Sequence, residues 1–138
     1  MRNHFLFVIL LFFSLMNSAY AVQSTITDAE GYSCMGDDKS RKQTEQAAMV
    51  DAKKNAAEYT CTYIETETQV KDFALQKDIV SAYTNAEVTV LEDLEKDWYK
   101  DPSAGDCYKI KIKAEVTPDQ QAMERIALAS ASSGTSAE

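Results

Sequence analysis

One alanine-lined helix constrains the fold of this chain more than any other feature of its sequence. Alanines recur every four residues, at Ala48, Ala52 and Ala56, within the helical segment 41–60. Residues four apart share one face of an α-helix, so these alanines form a stripe of small side chains. A stripe this flat lets the helix lie close against a sheet. The residues expected to continue or widen the stripe are Tyr59 or Tyr63, and Ala47, Val50 and Ala57.

The start of this helix is marked by Ser40 and Gln43, which have the spacing of a capping box. Asp37 and Asp38 precede it, where the positive end of the helix dipole favours carboxylates. Capping and solvation explain both acids, and the twelve-residue EF-hand pattern is absent. We therefore expect no metal site here, and no cofactor elsewhere in the chain.

Alternating side chains on either side of the helix predict strands. Residues 25–35 read as a first strand in which Ile26, Tyr32 and Cys34 share one parity. Gly31 interrupts this strand and indicates a bulge or a close backbone approach. Leu75, Ile79, Val80 and Tyr83 then switch to helical spacing, which predicts a short second helix over 74–83. A further short helix is allowed after Pro118.

Between the two helices, residues 62–70 alternate threonine, isoleucine and valine with polar side chains, which predicts a second strand. Period two would place Glu65 and Glu67 on one face. A carboxylate pair that does acid–base work needs one member buried or crowded so that its pKa rises. Apart from Tyr63, nothing apolar surrounds these two in the sequence, so a solvated strand face is the preferred interpretation.

The last third of the chain predicts a β-hairpin with arms at 86–100 and 106–116 and a loop at 101–105. The second arm alternates strictly, as an antiparallel strand with one buried face does. Its apolar side chains are Tyr108, Ile110, Ile112, Ala114 and Val116. Its outward-facing lysines are of the kind that keep an exposed sheet edge from pairing with strands of other chains. The candidate contact residues are Trp98, Tyr99, Lys109, Lys111 and Lys113, with packing at a strand end as the other interpretation of Trp98.

Together these segments predict an α+β fold in the order β-α-β-α-β-β. A long alanine-ribbed helix and a short second helix would pack on a small, mainly antiparallel sheet. A little over a hundred residues suffice for one domain with one core.

The first 21 residues predict a signal peptide rather than part of the fold. Arg2 precedes an apolar run over 5–16, and Ala19-Tyr20-Ala21 gives the small-x-small pattern of a cleavage site. The run is shorter than the ~20 residues that a membrane span needs. We therefore expect an exported domain at 22–129 with no transmembrane span after cleavage. The polar segment 130–138 is expected to be disordered.

The charge balance excludes one class of partner. The formal net charge is −8, and removal of residues 1–21, which hold Arg2 and no acid, makes it −9. Phosphate backbones repel such a chain, so nucleic-acid binding is not expected. The single histidine, His4, lies within the predicted signal peptide.

Three cysteines, Cys34, Cys61 and Cys107, predict one disulfide and one remaining thiol in an oxidising compartment. Roughly 30 Å of helix, at 1.5 Å per residue, separates Cys34 from Cys61. That separation disfavours a Cys34–Cys61 bond, which needs Cα atoms about 5.5 Å apart. An antiparallel first and last strand would pair Cys34 with Cys107, and a parallel arrangement would bring Cys107 to Cys61. The hairpin favours Cys34–Cys107.

The order of parts resembles a known bacterial envelope domain. The segments that carry the resemblance are AEGYSCMGDDKSR, DAKKNAAEY, TYIETETQVKDFALQKDIVSAY and KIKAEV, with Met35-Gly36-Asp37, Asp51-Ala52 and the stretch from Thr68 to Ile79 as their motifs. They are similar to the N-terminal domain of the flagellar assembly protein T, a domain shared with small surface lipoproteins and exported proteins. The resemblance implies an α+β domain in the Gram-negative periplasm, without enzymatic activity.

The sequence and the resemblance together predict a non-catalytic periplasmic module that docks onto an envelope assembly. Its expected partners are envelope proteins, and self-association through a sheet edge is a further expectation. The alternative is a small-ligand or inhibitor-type binding protein that uses the hairpin loop near Trp98 and Tyr99. An enzyme ranks below both, because residues 22–138 contain no histidine and no ordered Ser, Cys or carboxylate motif.

Overall fold

The structure, a computed structural model, describes residues 23–68 and 72–133. These residues form three helices and one three-stranded antiparallel sheet, which confirms the α+β class. The elements are, in chain order, β1 (Thr25–Cys34), α1 (Arg41–Thr68), α2 (Phe73–Thr84), β2 (Glu87–Asp101), β3 (Gly105–Thr117) and α3 (Gln120–Ser133). The predicted signal peptide, 1–21, lies outside the described residues.

The sheet has the strand order β1-β3-β2, so β3 is its central strand. The predicted hairpin is confirmed: β2 and β3 pair antiparallel, and Asp101 Oδ1 accepts hydrogen bonds from the Ser103 and Ala104 amides, both 2.8 Å. The predicted inward face of β3 is buried under the helices. Its side chains are Tyr108, Ile110, Ile112, Ala114 and Val116.

Helix α1 lies against the inner face of the sheet at backbone-contact distance. Ala48, Ala52 and Ala56 are fully buried, as their spacing predicts. Opposite them, a Cβ added at Gly31 of β1 would lie 2.2 Å from the Ala48 carbonyl oxygen and 2.2 Å from the Ala52 nitrogen. Only glycine leaves room for this approach. The predicted close approach at Gly31 is confirmed.

The beginning of α1 has the predicted capping box. The Gln43 amide donates to Ser40 Oγ at 3.2 Å, and the Ser40 amide donates to Gln43 Oε1 at 2.8 Å. Two backbone donors at the helix start are thus satisfied by side chains.

The alanine stripe extends differently from the prediction. Val50 is 67% exposed, and Tyr59 and Tyr63 are also exposed. Thr60 takes the next buried position instead, at 2% exposure, with its Oγ1 donating to the Ala56 carbonyl at 2.9 Å. A threonine that bonds its hydroxyl back along the helix can replace an apolar residue in the stripe.

The predicted strand at 62–70 is wrong over its described part, because α1 continues to Thr68. The order of elements is therefore β-α-α-β-β-α. Thr62 and Thr66 satisfy their hydroxyls by bonding the carbonyls of Glu58 and Thr62, at 3.0 Å and 2.9 Å. Ile64 packs against the core from this last part of the helix. Tertiary packing thus overrides the strand propensity of the threonines.

Strand β1 is confirmed, but its larger apolar side chains face outward. Ile26 is 62% exposed and Tyr32 is 65% exposed. The buried positions hold Ala29 and Gly31. The inner face of β1 must be small because α1 lies so close to it.

The predicted Cys34–Cys107 disulfide is present. The two cysteines are direct partners in the antiparallel β1–β3 register, with Cα atoms 3.9 Å apart. The bond closes a loop with a sequence separation of 73 residues. By the chain-entropy model such a closure stabilises the fold by about 4 kcal/mol. Cys61 is a free thiol on α1.

The second helix and the final helix are confirmed. Helix α2 begins after Asp72, whose carboxylate accepts the Ala74 amide at 2.9 Å. Helix α3 packs against α2 and ends at Ser133. Residues 130–133, predicted to be disordered, are therefore helical, and 134–138 lie outside the described part of the chain.

We predict that Gly31→Ala lowers the free energy of unfolding by about 3 kcal/mol, since the new methyl group would push two backbones apart. Urea unfolding followed by circular dichroism measures the change. Asp28→Ala, on the outward face of the same strand, is the matched control and should shift stability by less than about 0.5 kcal/mol. Equal stability of the two variants would contradict the close contact.

Candidate functional site

The outer face of the sheet is open to solvent along its described residues. Lys109, Lys111 and Lys113 of β3 form its central row. The register places Lys111 between Glu30 and Glu95, Lys113 between Asp28 and Glu92, and Lys109 between Tyr32 and Asp97. We call these nine residues the lysine array. The lysines lie on the central strand, so the prediction that they protect a sheet edge is wrong.

Ion pairs cross the lysine array between strands. Lys109 Nζ lies 2.9 Å from Glu30 Oε2, and Lys113 Nζ lies 3.8 Å from Glu92 Oε2. The hydrogen bond and charge of Lys109 hold the pKa of Glu30 below its usual value, and Glu30 raises the pKa of Lys109 in return. The array holds three lysines and five carboxylates, so its net charge is negative.

The predicted contact residues Trp98 and Tyr99 point to opposite faces of the sheet. Tyr99 shares the outer face with the lysine array and is 39% exposed. Trp98 faces the helices, with its ring 5.1 Å from that of Tyr108 and the Arg41 guanidinium 4.3 Å above it. Its Nε1 donates to Glu45 Oε1 at 3.2 Å. The Trp98 side chain therefore holds the start of α1 against the hairpin through its contacts with Arg41 and Glu45.

The free edge of β1 is covered by two side chains of α1. The Tyr32 amide donates to Asp51 Oδ2 at 3.0 Å, and Asn55 Nδ2 donates to the Glu30 carbonyl at 2.8 Å. These backbone groups would otherwise be open to another strand. Asp51 and Asn55 lie four residues apart, next to the alanine stripe, which is the signal that could have identified them.

A second surface is a groove of about 770 Å³ between α1, α2 and the start of β2. Ala57, Val80 and Val88 give it apolar walls, and the free thiol of Cys61 lies in its lining. No sequence pattern indicates this groove, because it depends on how the two helices meet. We call it the α1–α2 groove.

Two titratable groups in the α1–α2 groove are shifted toward their neutral forms. Burial, and then the charge of Glu65, raises the pKa of the Cys61 thiol. Burial, and then Cys61, raises the pKa of Tyr83. The groove is therefore a poor environment for a negative charge on the protein.

Glu65 and Glu67 do not form a carboxylate pair. They lie two residues apart on α1, so their side chains point about 160° apart around the helix. Glu67 is exposed, and Glu65 is half-buried, with an Oε1 that accepts no hydrogen bond among the described residues. The prediction that both share a strand face is wrong.

Within 23–68 and 72–133, no cluster of three or more His, Cys, Asp or Glu side chains could hold a metal ion. Among the same residues, no helix combines the length and the hydropathy that crossing a bilayer requires.

We predict that Cys61 reacts with iodoacetamide as a thiol of raised pKa. In the folded chain the pH midpoint of the reaction should lie above that of the same chain in urea, because burial disfavours the thiolate. Glu65→Gln should lower the folded midpoint by removing a nearby negative charge. Equal midpoints in the folded and unfolded chain would contradict the burial of the thiol in the groove.

No protein-family model, curated protein or solved structure matches this sequence. The resemblance to the N-terminal domain of the flagellar assembly protein T therefore stays a prediction from the segments quoted above.

Proposed function

We propose that this chain is a non-catalytic module of the Gram-negative periplasm that docks onto an assembly of the cell envelope through the outer face of its sheet. The lysine array is the observation on which the proposal rests. The Cys34–Cys107 disulfide supports export, since such bonds persist in oxidising compartments. The apolar run and cleavage pattern of residues 1–21 support it from the sequence.

The outer face suits a protein partner better than a small molecule. Its three strands present charges in parallel rows, so a partner must match both the spacing and the sign of the rows. Tyr32 and Tyr99 stand at one end of the face and are exposed, and tyrosine is enriched at protein interfaces. The excess of carboxylates in the array favours a basic partner surface.

Self-association through a sheet edge is less well supported than binding to another protein. Asp51 and Asn55 occupy the backbone groups at the edge of β1. The edge strand β2 carries register shifts at Val90/Glu92 and Asp93/Glu95. Bulges of this kind twist an edge away from regular pairing. A homo-oligomer would also have to bring two acidic outer faces together, or use a different surface.

The alternative function, a small-ligand or inhibitor-type protein acting through the hairpin loop, finds less support around Trp98. That side chain is held by Tyr108, Arg41 and Glu45. Of the two residues in that prediction, Tyr99 is exposed, and its side chain lies on the outer face of the sheet.

Site-specific photocrosslinking in cells tests the proposal. A photoreactive phenylalanine at position 32 should form an adduct with another exported envelope protein. The double variant Asp28→Lys/Glu95→Lys should reduce this adduct about tenfold, since it changes the net charge of the array from −2 to +2. A photoreactive residue at position 77, on the exposed side of α2, is the matched control site and should give no such adduct.

Two results would contradict the proposal. One is an adduct of the same protein from positions 32 and 77 alike, which would mean that the outer face is not the contact surface. The other is an adduct from position 32 that survives charge reversal, which would mean that the lysine array plays no part in recognition.

A further inference from the structure

Three exposed tyrosines surround a small cleft at one end of the outer face, where the free edge of β1 meets α1. Tyr32 comes from β1, Tyr59 from α1 and Tyr99 from β2. The cleft has a volume of about 250 Å³, and polar side chains complete its lining: Glu30, Asn55 and Lys109. Sites for drug-sized molecules are larger, at roughly 300–1,000 Å³. The cleft therefore has the size for one side chain, and we call it the tyrosine cleft.

The contact between α1 and β1 holds the walls of the tyrosine cleft together. The Tyr32 amide donates to Asp51 Oδ2, and Asn55 Nδ2 donates to the Glu30 carbonyl. Tyr59 follows Asn55 by four residues, so it lies on the same face of the helix. The rings of Tyr32 and Tyr59 are thus carried by two backbones that are fixed to each other. A site arranged in advance loses less entropy when it binds.

The surroundings of the tyrosine cleft are acidic. The ammonium group of Lys109 lies 2.9 Å from Glu30 Oε2, so a carboxylate of the lining already offsets it. Asp97 is the register partner of Lys109 on β2, and Asp51 accepts the Tyr32 amide beside the cleft. Three carboxylates against one ammonium group attract a cation and repel an anion.

The donors of the lining are directed at Glu30. Asn55 Nδ2 donates to the Glu30 carbonyl at 2.8 Å, and Lys109 Nζ approaches the Glu30 carboxylate. A neutral sugar would therefore compete for side chains that are already bonded. A guanidinium group brings five N–H donors of its own, and it stacks on aromatic rings. Tyrosine rings and carboxylate oxygens are the groups that it needs.

We infer that the tyrosine cleft binds an arginine side chain of the basic partner proposed for the outer face. The guanidinium group would stack against the tyrosine rings and donate hydrogen bonds to the Glu30 carboxylate. Tyr32 and Tyr99 belong both to the cleft and to the end of the outer face, so the arginine would enter the cleft while neighbouring residues of the partner meet the lysine array. The inference rests on the proposed docking function, and it names the residue that anchors the partner.

Titration of the tyrosine ring signals by nuclear magnetic resonance tests the inference. Nα-Acetylargininamide should shift the ring signals of Tyr32, Tyr59 and Tyr99 in the folded, oxidised chain. Nα-Acetylcitrullinamide has the same shape without the charge and should bind at least about fivefold more weakly. Nα-Acetyllysinamide should also bind more weakly, because an ammonium group does not stack on a ring. N-Acetylglucosamine, the neutral sugar probe, should leave these signals in place.

Three results of this titration would overturn the inference. One is the absence of any shift with the arginine derivative. Another is binding of the citrulline or lysine derivative as tight as that of the arginine derivative. The third is binding of the sugar at equal or higher affinity, which would make the cleft a carbohydrate site.

Matched variants locate the bound arginine. Tyr59→Leu removes one ring and should weaken binding about threefold, whereas Tyr63→Leu changes a similarly exposed tyrosine of α1 outside the cleft and should not. Glu30→Gln removes the acceptor and leaves Lys109 unpaired, which should weaken binding at least about fivefold. Glu124→Gln, on α3, is its control. Thermal unfolding checks that each variant is folded, and equal losses in a variant and its control would overturn the assignment.

The adduct from position 32 reports separately on the docking function. If that adduct forms but arginine shifts no ring signal, the inference fails and the docking function stands. If arginine shifts the ring signals but no adduct forms, the docking function fails, and with it the assignment of the arginine to an envelope partner.

Discussion

The contact between Gly31 and the Ala48–Ala52 turn of α1 is the constraint on which the rest of the structure depends. A missing Cβ on the strand and two methyl side chains on the helix let the two backbones meet. Because the helix lies this close, Asp51 and Asn55 reach the free edge of β1. For the same reason the inner face of β1 has no room for large side chains, and Tyr32 lies on the outer face. One steric condition thus arranges both the protected edge and the open surface.

The two candidate surfaces use different chemistry and lie on different sides of the molecule. On the outer face, cross-strand register creates rows of alternating charge, a pattern that gives specificity toward a flat protein surface. On the helical side, α1 meets α2, which leaves a groove lined by both apolar and polar side chains. The Cys34–Cys107 disulfide links the end of the edge strand β1 to the start of the central strand β3. Both strands carry charged residues of the lysine array.

Most helices and strands were predicted from local sequence patterns, because such patterns do not depend on contacts with distant parts of the chain. The capping box at Ser40, the alternation in β3 and the glycine at position 31 each specify a local backbone state. The Cys34–Cys107 pairing followed from the antiparallel topology. The strand predicted at the threonine-rich end of α1 was wrong, since packing of Ile64 against the core outweighs the strand preference of the threonines, whose hydroxyls bond the preceding turn. The outward direction of Ile26 and the α1–α2 groove could not be predicted, because both are set by how closely separate elements pack.

Amide hydrogen exchange at Tyr32 tests the central claim most directly. This amide belongs to an edge strand, and it donates a hydrogen bond to Asp51 Oδ2 of α1. If the helix is held against the sheet through Gly31, Tyr32 should exchange within about tenfold of the central-strand amide of Ile112, by global unfolding. Exchange of Tyr32 at the rate of an open edge amide, with Ile112 still protected, would show that α1 lifts off the sheet and would contradict the account.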